Sequence, residues 1–382
     1  MATTPLVVVD KLQRCAKVPA NGDLTPGPFL KGKGGRTAPL PDAERGRGEV
    51  RSHSAECEEG KKSLLGKLRQ PSRILVVLLS PIGDTLFATP MLHALREAYP
   101  NAHIAVLLYP SNRGILMGNA DVDELLVHPT LQQWFGWRYF FGLYWKLRSR
   151  RFDFSIDIST YTYWLTRLAA GIPHRVRLRF PSLWWLLPNR DPSWGKTHAV
   201  HHYLDVLQPL GIQVREPRLR LTVSEDDRAF AAAFLEEQGV TSDTRLVALH
   251  PGGEGFDGRK RWHKERFASV ADQLVRRHGV KVVLLGGGDE KELSADVASL
   301  MSEQPIDAAG LTTLKQTAAI VERCRIFIGN DSSPLHIATA MGTPSVVIYG
   351  PSNPGNYHPF GVPHAVVHAD LPCRPCFHLV GT

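Results

Sequence analysis

One stretch near the C-terminal end of the chain restricts the fold more than any other. Residues 325–350 read as an apolar strand, a polar turn, a helix over residues 333–341 and a second apolar strand. The turn carries Asp331, Ser332 and Ser333. In an open α/β sheet, ligands bind beyond the carboxyl ends of the strands, and the free N–H groups of a helix N-terminus attract phosphate. The stretch therefore predicts a phosphate-binding site at one edge of a parallel sheet.

Strand-length apolar runs alternate with helical patterns over most of the chain, which is typical of α/β proteins with parallel sheets. Residues 205–222 interrupt this alternation with a proline-containing segment. We therefore expect two Rossmann-like, doubly wound parallel-sheet domains that face each other across a cleft, one over residues 71–210 and one over residues 211–382. The pattern predicts a helix over residues 164–170 and strands at residues 74–79, 103–108, 124–127, 152–158, 176–178, 246–249, 280–285, 306–308, 326–328 and 345–349.

The first seventy residues differ from the rest of the chain in composition. They hold nine glycines and six prolines, and their thirteen Lys/Arg against eight Asp/Glu give them +5 of the net charge of +8. Residues 1–70 are therefore expected to form a disordered basic extension. Because only +3 remains for the other residues, the basic composition does not predict nucleic-acid binding.

Cysteine usage and hydrophobicity bear on where the chain works. The five cysteines are few and irregularly spaced, which indicates a reducing compartment. No apolar run reaches the roughly 18–20 residues that a transmembrane helix needs. The apolar run at residues 6–9 is too short for a signal peptide, because Asp10 interrupts it. The expected localisation is cytoplasmic.

A second polar turn, Ser-Pro-Ile-Gly-Asp at residues 80–84, follows the first predicted strand. It begins at Ser80, and Gly83 lets the backbone turn tightly. Asp84 would then lie at the edge of the sheet, where a carboxylate can take a proton from a bound hydroxyl. The alternative is that Asp84 caps the next helix, which is expected to continue to Tyr99. The spacing alone leaves both interpretations open.

Residues 250–262 also follow a strand and are rich in glycine. Glycines such as Gly252 permit close approach of the backbone to a diphosphate, and Lys260 supplies a cation nearby. The spacing imitates a P-loop, but Arg259 and Lys260 stand where Lys-Ser/Thr is required, which excludes a P-loop NTPase. The pattern favours a ligand-binding loop over a plain surface loop.

A third glycine-rich turn occupies residues 285–290. It is similar to a dinucleotide fingerprint, but Lys291 stands where the third glycine belongs, so the pattern argues against a dehydrogenase. Glu290 can instead accept hydrogen bonds from ribose hydroxyls. The alternative is a carboxylate in the first turn of a helix, stabilised by the helix dipole.

Two groups of residues have the composition of metal sites but too few ligands. Asp121 and Asp123 form an Asp-x-Asp pair without a clustered third ligand. Cys373 and Cys376 have histidines nearby, including His378, but a zinc ribbon needs a second cysteine pair. We therefore expect no metal and no cofactor.

Aromatic residues concentrate in two segments. Residues 134–151 join many aromatic side chains to a basic end, and residues 183–187 form a second cluster. Aromatic and basic side chains together suit a membrane interface or an amphiphilic acceptor. Peripheral contact with the inner face of the cytoplasmic membrane is one expectation. The alternative is that the aromatics pack the domain and only the basic end is exposed.

Taken in order, these motifs resemble the lipopolysaccharide heptosyltransferase family, glycosyltransferase family 9. That family has a Ser-x-hydrophobic-Gly-Asp turn, a His-Pro-Gly strand end, a Lys-x-Trp step, a Gly-Gly-x-x-Glu turn and an Asp-Ser/Thr-Gly-x-x-His helix start. Here the corresponding segments are residues 80–84, 250–252, 260–262, 286–290 and 331–336. The resemblance extends from about Arg73 to Cys376, and one position departs from it, because Ser333 replaces the usual glycine.

The resemblance implies a GT-B fold and metal-independent, inverting sugar transfer. The expected donor is a nucleotide-sugar, ADP-heptose, and the expected acceptor is a lipopolysaccharide-core or related glycolipid. Asp84 would be the catalytic base. The other site residues implied are Lys260 on the donor phosphates, Glu290 on the ribose, Asp331 on the donor sugar, Gly252, Ser332, Ser333 and His336 around the phosphate end, and Ser80 and Gly83 in support of the base.

Two other classes of function remain open at this point. One is a different sugar-nucleotide enzyme of the same fold, such as an epimerase. The other is a non-catalytic sugar-nucleotide binding protein. Two features favour the non-catalytic binding protein. Ser333 adds a side chain where the backbone meets phosphate, and the family's final helix is expected to be short or absent after Cys376.

Overall fold

The first of two parallel sheets is formed by the N-terminal half of the chain. The computed structural model describes residues 71–128, 137–158, 172, 174–177, 197–253 and 258–376. The strands of this sheet are β1 (Arg73–Leu78), β2 (His103–Leu108), β3 (Glu124–Val127), β4 (Phe154–Asp157) and β5 (His174–Arg177). They pair in the order β3-β2-β1-β4-β5, and every pair is parallel.

The second sheet is formed by the C-terminal half. Its strands are β6 (Leu246–His250), β7 (Lys281–Leu284), β8 (Ile306–Asp307), β9 (Cys324–Asn330), β10 (Ser345–Ile348) and β11 (His364–Val367). Their order is β11-β10-β9-β6-β7-β8, again with every pair parallel. Two parallel sheets with a helical layer confirm the α/β class that the sequence predicts.

Helices connect the strands in both halves. In the first half they are α1 (Ile82–Phe87), α2 (Thr89–Ala98), α3 (Arg113–Leu116), α4 (Trp137–Ser149) and α5 (Ala199–Asp205). In the second half they are α6 (Glu225–Glu237), α7 (Lys264–His278), α8 (Lys291–Leu300), α9 (Leu314–Glu322), α10 (Ser333–Ala340) and α11 (Pro354–Tyr357). None of the helices in the described ranges combines the length and hydrophobicity needed to span a bilayer.

Alternate residues of β1 belong to different cores. Ile74 and Val76 join one buried cluster, whereas Leu75 and Val77 join another. The apolar run of β1 from Ile74 to Leu78 is therefore covered on both faces, as expected for a doubly wound sheet.

Two elements differ from the sequence prediction. The helix predicted to run without a break to Tyr99 is divided into α1 and α2 at Ala88. Pro90 explains the division, because it has no N–H to continue the ladder, and the Thr89 hydroxyl instead donates to the Leu86 carbonyl at 2.7 Å. Strand β11 was not predicted, since the run His-Ala-Val-Val is short and lies at the edge of its sheet.

Several predictions fall where the structure gives no description. These are the extension at residues 1–70, the helix at residues 164–170, the aromatic cluster at residues 183–187 and His378. Residues 212–224, which include most of the predicted crossing segment, contain neither helix nor strand. The position of the domain boundary stays a prediction.

The two halves meet where α1 approaches α10. A Cβ added to Gly83 would lie 2.6 Å from Cδ2 of His336, so only glycine allows this approach. The Phe87 ring packs edge-on against the His336 ring, with centroids 4.5 Å apart. The carboxyl end of β1 and the start of α10 are thereby held together.

Gly83→Ala should disrupt this contact. Because the new methyl group overlaps a buried ring, we expect the free energy of unfolding to fall by about 1–3 kcal/mol, measured by urea denaturation. Gly142→Ala is the matched control, because Gly142 lies in α4 with no neighbouring atom within 4 Å of its added Cβ. This control should be neutral or stabilise by up to about 1 kcal/mol. Equal stability changes in the two variants would contradict the contact.

Candidate active site

Four strands deliver the predicted site residues to the carboxyl ends of the two sheets. Asp84 follows β1, Gly252 follows β6, Glu290 follows β7 and Asp331 follows β9. Strands β9, β6 and β7 are neighbours in the second sheet, so the last three residues share one edge. The structure therefore brings together residues that lie far apart in the sequence.

Lys260 forms an ion pair at this edge. Its Nζ donates a hydrogen bond to Oδ2 of Asp331 at 2.9 Å, and the Asp331 side chain is nearly buried. Both charges act on Asp84, where Asp331 raises the carboxyl pKa and Lys260 lowers it. Three charged groups from two halves of the chain thus share one site.

Asp84 lies in the first turn of α1 but does not cap it. The N-cap is Pro81, and the helix has no side-chain capping bond, so the capping interpretation is wrong. Oδ1 of Asp84 instead accepts a hydrogen bond from the Tyr203 hydroxyl at 2.9 Å. Loss of solvation raises the pKa of Asp84 from 3.8 to about 6; Asp331 adds to the rise, and Tyr203 and Lys260 oppose it. A carboxyl with this pKa is suited to accept a proton near neutral pH.

Glu290 organises the loops around it. Its Oε1 accepts the Gly253 N–H at 2.8 Å, its Oε2 accepts the Gly287 N–H at 3.0 Å, and Oε2 also lies 3.0 Å from Nε2 of buried His250. Burial alone would raise the pKa of Glu290, but His250 and the two N–H groups outweigh it and lower the pKa to about 2. Glu290 is therefore ionised at neutral pH.

Glycine at position 252 is required by Glu290. A Cβ on Gly252 would lie 1.9 Å from Oε1 of Glu290. Glu290 lies in a short 3-10 helix, Gly288–Glu290, that precedes α8, and its side chain accepts the N–H of the N-cap residue Gly287. The position in a first helical turn that was considered for Glu290 is therefore present. The contact of Glu290 with ribose stays a prediction.

Asn330 fixes the loop that carries Lys260. Its buried Nδ2 donates to the carbonyls of Pro251 and Gly252 at 2.9 and 2.8 Å, and its Oδ1 accepts the Trp262 N–H at 3.1 Å. One side chain at the end of β9 therefore holds both ends of the glycine-rich segment.

The start of α10 presents polar groups to the same edge. Ser332 is the N-cap residue, yet its hydroxyl makes no capping bond and lies 3.1 Å from Nδ1 of His250. Ser333 is the first helical residue and is partly buried, with Pro334 after it. The helix ends before Gly342, which has the positive φ of 78° that a C-terminal glycine adopts. The predicted strand–turn–helix unit is confirmed.

His336 is a buried neutral imidazole. Burial, supported by the charge of Lys260, lowers its pKa to about 4, although Asp331 opposes the shift. Its Nδ1 is buried without a hydrogen-bond partner among the described residues. His336 therefore packs against Gly83 and Phe87 rather than presenting a charge.

The two incomplete metal motifs have other contacts. Asp121 pairs with His93, and Asp123 accepts hydrogen bonds from Arg96 and from the Ile104 N–H. Cys373 and Cys376 are free cysteines, the first exposed. Over the residues that the structure covers, no three His, Cys, Asp or Glu side chains form a metal-binding group.

Comparison with known proteins identifies the family. The family model described as glycosyltransferase family 9 (heptosyltransferase) matches residues 141–381, more than half of the chain. This chain belongs to glycosyltransferase family 9. It is therefore a glycosyltransferase, and the suspected family is confirmed.

Curated lipopolysaccharide heptosyltransferases match both halves of the chain. Lipopolysaccharide core heptosyltransferase OpsX of Haemophilus influenzae is 25% identical over 300 residues, which are 76% of this chain and 82% of that protein. Lipopolysaccharide heptosyltransferase 2 of Escherichia coli K12 is 29% identical over 302 residues, 74% of this chain and 84% of that protein. Both matches exceed the region of the family model in length.

Two solved glycosyltransferase structures share the fold. The family 9 glycosyltransferase of Veillonella parvula is 29% identical with a TM-score of 0.68, covering 78% of this chain and 86% of that one. E. coli ADP-heptose heptosyltransferase II is 26% identical with a TM-score of 0.63, covering 77% and 90%. The predicted GT-B fold is confirmed.

Replacing Asp84 provides a test of its raised pKa through protein stability. Between the unfolded value of 3.8 and the folded value of about 6, the folded chain holds a proton on Asp84 that the unfolded chain does not. Asp84 therefore contributes stability at low pH that is lost as the pH rises through the folded value. Asp84→Asn removes this loss of stability with rising pH. Between pH 3.8 and about 6, the free energy of unfolding of the variant should therefore rise with pH more steeply than that of the wild type, by up to about 1.4 kcal/mol per pH unit.

Urea titrations across this pH window measure the effect. Asp243→Asn is the control, because Asp243 is exposed on a loop, and its profile should run parallel to that of the wild type. A parallel profile for Asp84→Asn as well would show that its pKa is not raised.

Proposed function

We propose that this glycosyltransferase moves heptose from ADP-heptose to a lipopolysaccharide-core or related glycolipid acceptor. The curated relatives named above are lipopolysaccharide heptosyltransferases, and the solved E. coli relative is named for ADP-heptose. The observation that carries the proposal is the shared site of Asp84, Lys260 and Asp331, in which a carboxyl with a pKa of about 6 faces a cation from the other half of the chain.

The donor would lie along the edge of the second sheet. The diphosphate fits the start of α10, where the backbone N–H groups of Ser332 and Ser333 and the Ser333 hydroxyl can donate hydrogen bonds. Lys260 is close enough to share its charge between Asp331 and the diphosphate. In this arrangement Asp331 accepts hydrogen bonds from the donor sugar. The backbone of Gly252 lies against the Glu290 carboxylate, and the ribose would bind to the same carboxylate.

Transfer in this site is a single displacement. The acceptor hydroxyl gives its proton to Asp84 while its oxygen forms a bond to the anomeric carbon of the donor. The bond from that carbon to the diphosphate oxygen breaks, and the electron pair leaves with ADP. Lys260 and the N-terminus of α10 stabilise the negative charge that develops there. Attack opposite the leaving group inverts the anomeric configuration.

Asp84→Asn tests the base assignment. The amide cannot take the proton, so transfer from ADP-heptose to extracted lipopolysaccharide core should fall by at least about a hundredfold. Binding of ADP should persist, because the amide preserves the shape of the side chain. Product formation is followed by mass spectrometry and ADP binding by thermal shift, with GDP, UDP and CDP as comparison nucleotides.

The same assay separates the other classes of function. Asp243→Asn is the control and should transfer as the wild type does. Undiminished transfer by Asp84→Asn would contradict the base assignment. Binding of ADP by the wild type without any transfer would instead indicate a non-catalytic binding protein, and free nucleotide without a new glycosidic bond would indicate an epimerase-like enzyme.

A second part of the proposal is peripheral membrane contact through α4. Phe141 and Trp145 lie one helical turn apart with 53% and 63% of their surface exposed, and Lys146 and Arg148 are exposed beside them. Arg150 is instead held by Glu124, its Nε donating at 2.8 Å. The helix thus offers apolar and basic groups together, which suits a surface of anionic lipids bearing a glycolipid acceptor.

Vesicle binding tests this contact. Phe141→Ser with Trp145→Ser should weaken sedimentation with phosphatidylglycerol vesicles by roughly tenfold or more, because each large apolar side chain adds more than a kcal/mol on burial. Leu311→Ser is the control, since Leu311 is 57% exposed in the other half of the chain. Binding that survives the double substitution would exclude α4 as the contact.

A further inference from the structure

Tyr203, which lies in a helix far from Asp84 in the sequence, donates a hydrogen bond to the Asp84 carboxylate. The two residues are 119 positions apart, and the Tyr203 hydroxyl in α5 donates to Oδ1 of Asp84 at 2.9 Å. Tyr203 is 8% exposed. The Ser80 side chain lies close enough to the same phenol group to lower its pKa. Both ends of the turn at residues 80–84 are therefore next to one tyrosine.

We propose that Tyr203 is a positioning residue for the transfer reaction: its hydroxyl, supported by Ser80, holds Asp84 through Oδ1, keeps the carboxylate ionised and directs Oδ2 to the acceptor hydroxyl. This inference rests on the proposed function, in which Asp84 is the base.

A buried phenol is suited to this task. Burial, together with the adjacent Asp84 charge, raises the pKa of Tyr203 well above 10, so its proton stays in place at every working pH. The bond donated to Asp84 favours the charged form of the carboxyl, whereas the loss of solvation favours the neutral form. Tyr203 thus limits the rise of the Asp84 pKa, so that the base remains ionised near neutral pH.

The other groups that face Asp84 cannot replace this hydrogen bond. Asp331 raises the pKa of Asp84 and Lys260 lowers it, but both act through their charge. Tyr357 of α11 is partly buried; loss of solvation raises its pKa, and the nearby Asp84 adds to the rise. His336, beside Gly83, stays neutral because burial lowers its pKa to about 4. Among these groups, Tyr203 is the hydrogen-bond donor to Asp84.

Tyr203→Phe removes the hydroxyl and keeps the ring. We expect the acid limb of the pH profile of kcat/KM to move to higher pH by roughly one unit, because a hydrogen bond to a charged group is lost. The KM for ADP-heptose should stay unchanged while kcat falls, since the donor lies on the other half of the site. A residue with only a structural role would lower stability or kcat without moving the acid limb.

Tyr99→Phe is the matched control. Tyr99 also loses a phenol hydroxyl in this variant, but it packs beside the core at the end of α2. Its pH profile should equal that of the wild type.

Ser80→Ala tests the support behind Tyr203. Because Ser80 acts through the phenol, its removal should shift the acid limb in the same direction by less. In the double variant the shift should equal that of Tyr203→Phe alone, since the effects of groups that act through one shared partner do not add. Additive shifts would overturn the role of Tyr203 as the link between Ser80 and Asp84. If Tyr203→Phe fails to fold, Ser80→Ala tests the proposal alone: a shift of the acid limb to higher pH supports it, and an unchanged acid limb overturns it.

An NMR titration separates this inference from the proposed function. Protein labelled with carboxyl-¹³C aspartate is titrated without substrate, and the Asp84 signal is assigned from its loss in Asp84→Asn. A higher apparent pKa in Tyr203→Phe supports the role of Tyr203 even if no transfer is found with any acceptor. An unchanged Asp84 titration and an unchanged acid limb would overturn the proposal.

Discussion

The close approach of Gly83 to His336 is the constraint on which the site depends. Without a side chain at Gly83, α1 packs directly on the buried ring of His336 at the start of α10. The next residue along is Asp84, and the turn before α10 carries Asp331. The packing of the Gly83 backbone on the His336 ring therefore helps to set the distance between the carboxylate of one sheet edge and the ion pair of the other. Interiors are close-packed, so such a contact leaves little freedom.

Around this contact, two opposite charges act on the Asp84 carboxyl. Asp331 and Lys260 form an ion pair, and the pKa of Asp84 is raised by Asp331 and lowered by Lys260. The arriving diphosphate adds negative charge on the Lys260 side, which would favour a proton on the base. Tyr203 counteracts this by stabilising the carboxylate. The pKa of Glu290 is lowered, whereas that of Asp84 is raised. Two backbone N–H groups and His250 keep Glu290 ionised and hold it in the loops.

Much of the fold and part of the site follow from local sequence. Buried parallel strands carry continuous apolar runs, so β1, β6, β7 and β9 are recognisable, and the polar turns after them mark Asp84, Gly252, Glu290 and Asp331. Tyr203 and Asn330 could not be found in this way. Tyr203 lies in α5 without a motif, and its partner is 119 residues away. Asn330 ends an apolar strand, and its clamp on the 250–262 loop depends on tertiary contacts alone.

The most direct test of the account is a crystal structure with ADP and a non-transferable heptose analogue of the donor. The account predicts the diphosphate within hydrogen-bond distance of the Ser332–Ser333 backbone and of Lys260. It also predicts the anomeric carbon between the diphosphate and Asp84, with Oδ2 of Asp84 on the face opposite the leaving group. A diphosphate bound away from the start of α10, or an Asp84 carboxylate on the same face as the leaving group, would contradict it.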